Sequence, residues 1–124
     1  MRKRNGVILT VIGIVFFGFI FHFLPFANAE VPVSQYDELK NTKDFKLYIK
    51  GVGTGFSWAN AVLEGRGQQP LYCPPSKLEV TAENYLDILR LYIEKKRSRL
   101  EKVPNAVIEP LLLYGLIETF SCEK

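Results

Sequence analysis

The stretch FKLYIKGVGTGFSWANAVL, Phe45 to Leu63, decides the fold. Phe45, Tyr48, Ile49, Val52, Phe56, Ala59 and Leu63 recur in it at spacings of three and four. That is the repeat of one face of an α-helix, and no alternation of period two competes with it. The helix so predicted runs to about Glu64. Asn41 or Thr42 is placed to cap its start, and Asp44 falls in the first turn, where a negative charge suits the helix dipole. Gly51, Gly53 and Gly55 inside it each cost roughly 1 kcal/mol relative to alanine. The favoured explanation is close packing of another helix against this face; a kink is the other. Trp58, the only tryptophan, is read as core in preference to interface, although tryptophan also anchors interfaces.

Beyond this helix, Gly65 is the expected stop, followed by a flexible loop, Arg66-Gly67-Gln68-Gln69-Pro70. Leu71-Tyr72-Cys73-Pro74-Pro75 is extended, because two prolines cannot continue a helix. Thr81 is a strong N-cap, with Glu83 in the turn after it. Tyr85, Ile88, Leu89, Tyr92, Ile93 and Leu100 then mark the apolar face of a long helix to about Lys102, which Pro104 ends. Val107, Ile108, Leu111, Leu112, Leu116 and Phe120 mark a last helix, which Pro110 either kinks or starts. Upstream, Val31 to Gln35 reads as an extended lead-in and Tyr36 to Lys40 as a short helical turn. The expected class is all-α, a small bundle of about four to five helices.

The first 29 residues have another character. Arg2, Lys3 and Arg4 precede a nearly unbroken apolar run from Val7 to Leu24, then Pro25 and Ala27-Asn28-Ala29. This is the layout of a secretory signal with a small-x-small cleavage site after Ala29. An uncleaved anchor is the competing reading, since a bilayer needs about 20 apolar residues. Pro25 and the cleavage site favour removal, which would leave Glu30 to Lys124 as one small domain with no membrane attachment. Removing Arg2, Lys3 and Arg4 from sixteen basic residues leaves thirteen against thirteen acids. A neutral domain lacks the cation surplus that nucleic-acid binding requires.

Cys73 and Cys122 are the only cysteines, and both follow the proposed cleavage site. In an oxidising compartment an intrachain disulfide is the favoured reading; a redox pair or an intermolecular bond are the alternatives, and the CxxC spacing of redox work is absent. The only histidine, His22, lies in the signal. Without it there is no Ser-His-Asp or Cys-His arrangement and no histidine-bearing zinc site. The acids are scattered along helices among lysines and arginines, which disfavours a carboxylate pair acting as acid and base. We expect no catalytic residue, no metal and no cofactor. Lys95-Lys96-Arg97-Ser98-Arg99 ends the long helix with a basic cluster. It is read first as cations suited to a helix C-terminus, and second as a steering surface for an acidic partner.

Tyr48-Ile49-x-Gly51-Val52, Leu71-Tyr72-Cys73-Pro74-Pro75, Thr81 with Tyr85 to Ile93, and Ile108 to Phe120-Ser121-Cys122 together resemble the Rap/Tai family. These are small helical periplasmic immunity proteins of Gram-negative bacteria that inhibit peptidoglycan amidase toxins delivered by type VI secretion. The resemblance covers Phe45 to Cys122, with Ser121 where the family usually has proline. It implies a Cys73–Cys122 staple, a periplasmic location and a protein partner, a secreted cell-wall amidase whose active site is occluded. It implies no catalytic residue and carries over no contact residue. A different class, an acid-stress chaperone similar to the HdeA type, is also small, exported, helical and stapled. For a binding role the expected contacts are Arg66, Gln68 and Gln69 in the loop Gly65 to Lys77, stiffened by Pro70, Pro74 and Pro75, with Lys95, Lys96, Arg97 and Arg99 as the steering surface. The apolar stripes can serve a homodimer as readily as a core.

Overall fold

The computed structural model describes residues 30–103 and 105–122. A 3-10 turn, Val33–Gln35, leads into four α-helices: α1 (Tyr36–Leu39), α2 (Lys43–Gly65), α3 (Ala82–Leu100) and α4 (Ile108–Thr119). The proposed signal, 1–29, and Pro104 as a helix terminator lie outside the described residues.

Local chemistry sets the boundaries. The Thr42 hydroxyl accepts from Phe45 N–H at 3.2 Å and starts α2. Thr81 starts α3 with a full capping box: its hydroxyl accepts from Asn84 N–H, and Asn84 Oδ1 accepts from Thr81 N–H at 2.9 Å. α2 ends at Gly65, as expected, and Gly67 closes it two residues on. Gly67 adopts φ +68°, Gly67 N–H reaches Glu64 O and Gln68 N–H reaches Leu63 O, both at 2.9 Å. A left-handed residue two places past the helix closes it, and glycine takes that conformation without strain. Pro110 is the third residue of α4. It neither kinks nor starts the helix, because N–H groups in the first turn have no intrahelical acceptor to lose.

α3 is the central element, packing against both α4 and α2. Ile49, Leu89, Ile108, Leu112 and Leu116 are fully buried between them. Two glycines allow the close approach. A Cβ on Gly53 would sit 2.6 Å from the Tyr85 ring, and one on Gly115 would sit 2.8 Å from Ile88. The close-packing explanation thus holds for Gly53 alone of the three in α2. Gly51 and Gly55 are exposed, with nothing within 4 Å of an added Cβ, and the helix runs unbroken through all three. Trp58 is 70% exposed and is not core. It lies nine residues past buried Ile49, about half a turn out of register with the inner face. Asn60 takes the inner position.

The lead-in is extended only briefly. Pro32 pairs antiparallel with Val107, Val33 N–H donates to Ala106 O and Ile108 N–H to Val31 O, both at 2.9 Å. Val33 to Gln35 then turns into the 3-10 helix. This clip fixes the chain start across the mouth of α4. A disulfide joins Cys73 to Cys122, closing a loop of 49 residues' separation.

Candidate functional site

The loop after α2 is anchored before it reaches the disulfide. Asn60 is buried on the inner face of α2. Its Nδ2 donates to Tyr72 O at 2.6 Å, and its Oδ1 accepts from Leu71 N–H at 2.8 Å. One side chain thereby supplies the donor and acceptor that an extended backbone would otherwise seek from a strand. Tyr72 is 1% exposed, its ring tilted against Phe120 at 6.5 Å. Its hydroxyl meets Ser57 Oγ at 3.3 Å, and Ser57 meets the Tyr85 hydroxyl at 2.9 Å. Burial holds the Tyr72 phenol above its ordinary pKa. Cys73 N–H donates to Phe120 O at 2.7 Å, so the disulfide ties an already docked segment to the end of α4. Arg66, Gln68 and Gln69 lie before this anchor and are all exposed.

The outer face of α2 is the larger feature. Leu47, Gly51, Thr54, Gly55, Trp58 and Val62 follow each other at helical spacing on the side away from α3 and α4, and none is buried. Leu47 is 68% exposed. A helix with one covered face ordinarily carries polar residues on the other. Here, Thr54 apart, apolar or side-chain-free positions occupy both. The same spacing of three and four, read from Leu47, marks this stripe in the sequence. It was masked by the longer aromatic stripe from Phe45.

Lys43, Lys46 and Lys50 run along one edge of this face. With Leu47 and Val80 they line a groove of about 480 Å³ between α2 and the segment leading into α3. Lys46 pairs with Glu83, whose carboxyl is held below the usual range by that contact. The groove thus has an apolar floor, with Lys43, Lys46 and Lys50 on the α2 side and Glu79 and Glu83 on the other. Arg66, four residues past Val62, continues the face into the loop.

The basic end of α3 is not a single patch. Lys95 and Lys96 share Glu118 of α4, at 2.6 and 3.6 Å. Arg97 turns the other way, to Asp37 of α1 at 3.6 Å. Lys96 also lies over the Tyr92 ring. Arg99 is exposed. Acids from two other helices therefore offset much of the charge expected to steer a partner.

Among the described residues no cluster of His, Cys, Asp and Glu could hold a metal. No helix among them is long and apolar enough to cross a membrane. No family model, curated protein or solved structure matches the chain.

Proposed function

We propose that this chain is an exported binding protein of the immunity type, which seats in the cleft of a cell-wall amidase and blocks it. The observation that carries the binding role is the second apolar face of α2, with Leu47, Trp58 and Val62 exposed at helical spacing. The signal-like first 29 residues and the resemblance to the Rap/Tai family supply the compartment and the class of partner. The partner that fits this face has an apolar cleft with an acidic rim. Trp58 is the central anchor, in the manner of tryptophan at interface hot spots. Gly51 and Gly55 let a partner's surface approach the helix backbone, and Lys43 and Lys50 meet the acidic rim. A preformed helix and a loop fixed by Asn60 and the disulfide lose little freedom on docking.

The test is direct. The chain from Glu30 onward is mixed with the secreted amidase encoded beside its gene, and peptidoglycan cleavage and Kd are measured. Stoichiometric inhibition, lost on Trp58→Ala, supports the proposal. An amidase that stays fully active at saturating protein would sink it.

A further inference from the structure

Glu109, in the first turn of α4, is half-buried and leaves one carboxyl oxygen unused. Its Oε1 accepts from Val31 N–H at 3.0 Å and from the Tyr48 hydroxyl. Its Oε2 is buried and has no hydrogen-bond partner among the described residues. Buried carboxylate oxygens are ordinarily paired, so an unmatched one marks a missing cation or donor. Burial, then the bond to Glu109, holds the Tyr48 phenol above its ordinary pKa, so Tyr48 stays a neutral donor.

Glu30 directly precedes the Val31 donor in the chain. Its nitrogen precedes Val31 N by one residue, and neighbouring residues are only about 3.8 Å apart. The clip of Val31 and Val33 on Ala106 and Ile108 fixes that position beside the start of α4. Glu30 is also the residue that cleavage after Ala29 would expose. Hydrolysis of the Ala29–Glu30 amide adds one water. It leaves Ala29 as a carboxylate and Glu30 as a primary amine, largely protonated at neutral pH. Before cleavage the Glu30 nitrogen is a neutral amide with one N–H; afterwards it is a cation with three.

We propose that Glu109 is the receptor for the α-ammonium of Glu30, which pairs with Oε2 once the signal is removed. The new terminus completes a junction of three elements: the lead-in, α2 through Tyr48 and α4 through Glu109. Processing then tightens the domain, and the precursor remains looser while it is translocated. This rests on the export reading above and not on any partner.

The experiment compares three purified forms: the chain starting at Glu30, the same chain retaining Ala27-Asn28-Ala29, and the Glu30 chain acetylated at its α-nitrogen. The extended and acetylated forms are expected to melt about 5 °C lower than the Glu30 form. In Glu109→Gln the Glu30 and extended forms should melt together. Equal melting of the three wild-type forms overturns the proposal, as does a gap that persists in Glu109→Gln. If Glu109→Gln does not fold, the acetylated wild type decides: a lowered Tm supports the pairing and an unchanged one removes it. Because these termini are set in the purified protein, the result is independent of amidase binding. Mass analysis of the exported chain separately tests processing, and a start other than Glu30 would rule out this junction in the cell.

Discussion

Gly53 and Gly55 are two residues apart and serve opposite surfaces. Gly53 faces Tyr85, and a Cβ there meets the ring at 2.6 Å. Gly53→Ala should therefore cost about 1–3 kcal/mol by overpacking, read as a lower midpoint in urea. Gly55 meets nothing. Gly55→Ala should raise stability by up to about 1 kcal/mol, since alanine is the better helix former. If Gly55 serves a partner, the same change weakens binding as it strengthens the fold. A change that improves both would remove Gly55 from the proposed interface. Asn60 is the other decisive residue. Asn60→Ala leaves Tyr72 O and Leu71 N–H without their partners, and should cost about 2 kcal/mol in thermal melting. Nothing in the sequence distinguishes Asn60 from a solvated helix residue except its register with Ile49 and Gly53. Hydrophobic periodicity passes over it for that reason.

At the scale of elements, much was legible and the failures are instructive. α2 and α3 start at Thr42 and Thr81 as their caps predict, because capping is a local contest that tertiary packing did not override. α2 ends at Gly65 as expected, but the left-handed residue that closes the turn is Gly67, and which of two nearby glycines takes that conformation is not legible from residue type. The extended reading of the lead-in holds at Pro32, which pairs with Val107, and fails at Val33 to Gln35, which form a 3-10 turn. The inner stripe of α2 packs in outline as its spacing implies, whereas Trp58, expected inside, faces outward. Residue type alone does not reveal which apolar face another helix covers. The two faces make separable predictions. Trp58→Ala should leave the melting temperature within about 2 °C, as is usual for an exposed site, and weaken an amidase at least about tenfold. Alanine at Arg66, Gln68 and Gln69 should weaken it less, by faster dissociation. Charge reversal at Lys43 and Lys50 should slow association, and salt should mimic it. Reversal at Lys95 to Arg99 should do less, because Glu118 and Asp37 already face those cations. Surface binding kinetics separate the cases. Sedimentation of the protein alone shows whether a second copy covers the α2 face instead.

At the scale of the molecule, the domain is held by one apolar core and one disulfide, and these respond differently to conditions. Cys73→Ser opens a loop whose closure is worth about 4 kcal/mol in the chain-entropy model, so it should melt far below the oxidised wild type and match the reduced protein. Acid should do much less. Asp37, Glu83 and Glu118 are held below their ordinary pKa values, chiefly by hydrogen bonds from Lys40, Lys46 and Lys95 respectively. A carboxyl whose folded pKa is depressed stabilises the fold above its unfolded pKa, and that contribution is lost as pH falls through the folded value. The loss therefore begins near the ordinary values of 3.8 and 4.5 and continues below them. All three groups are exposed, where screening by water keeps ion pairs weak. The fully buried Ile49, Leu89, Ile108, Leu112 and Leu116 carry no titrating group. The protein should keep its near-ultraviolet circular dichroism at about pH 3 and bind little hydrophobic dye there, with only a modest fall in Tm. A chaperone activated by acid would behave in the opposite way, losing fixed packing as its carboxyls protonate and exposing apolar surface. Loss of the near-ultraviolet signal together with strong dye binding at about pH 3 would replace the immunity reading with the chaperone reading.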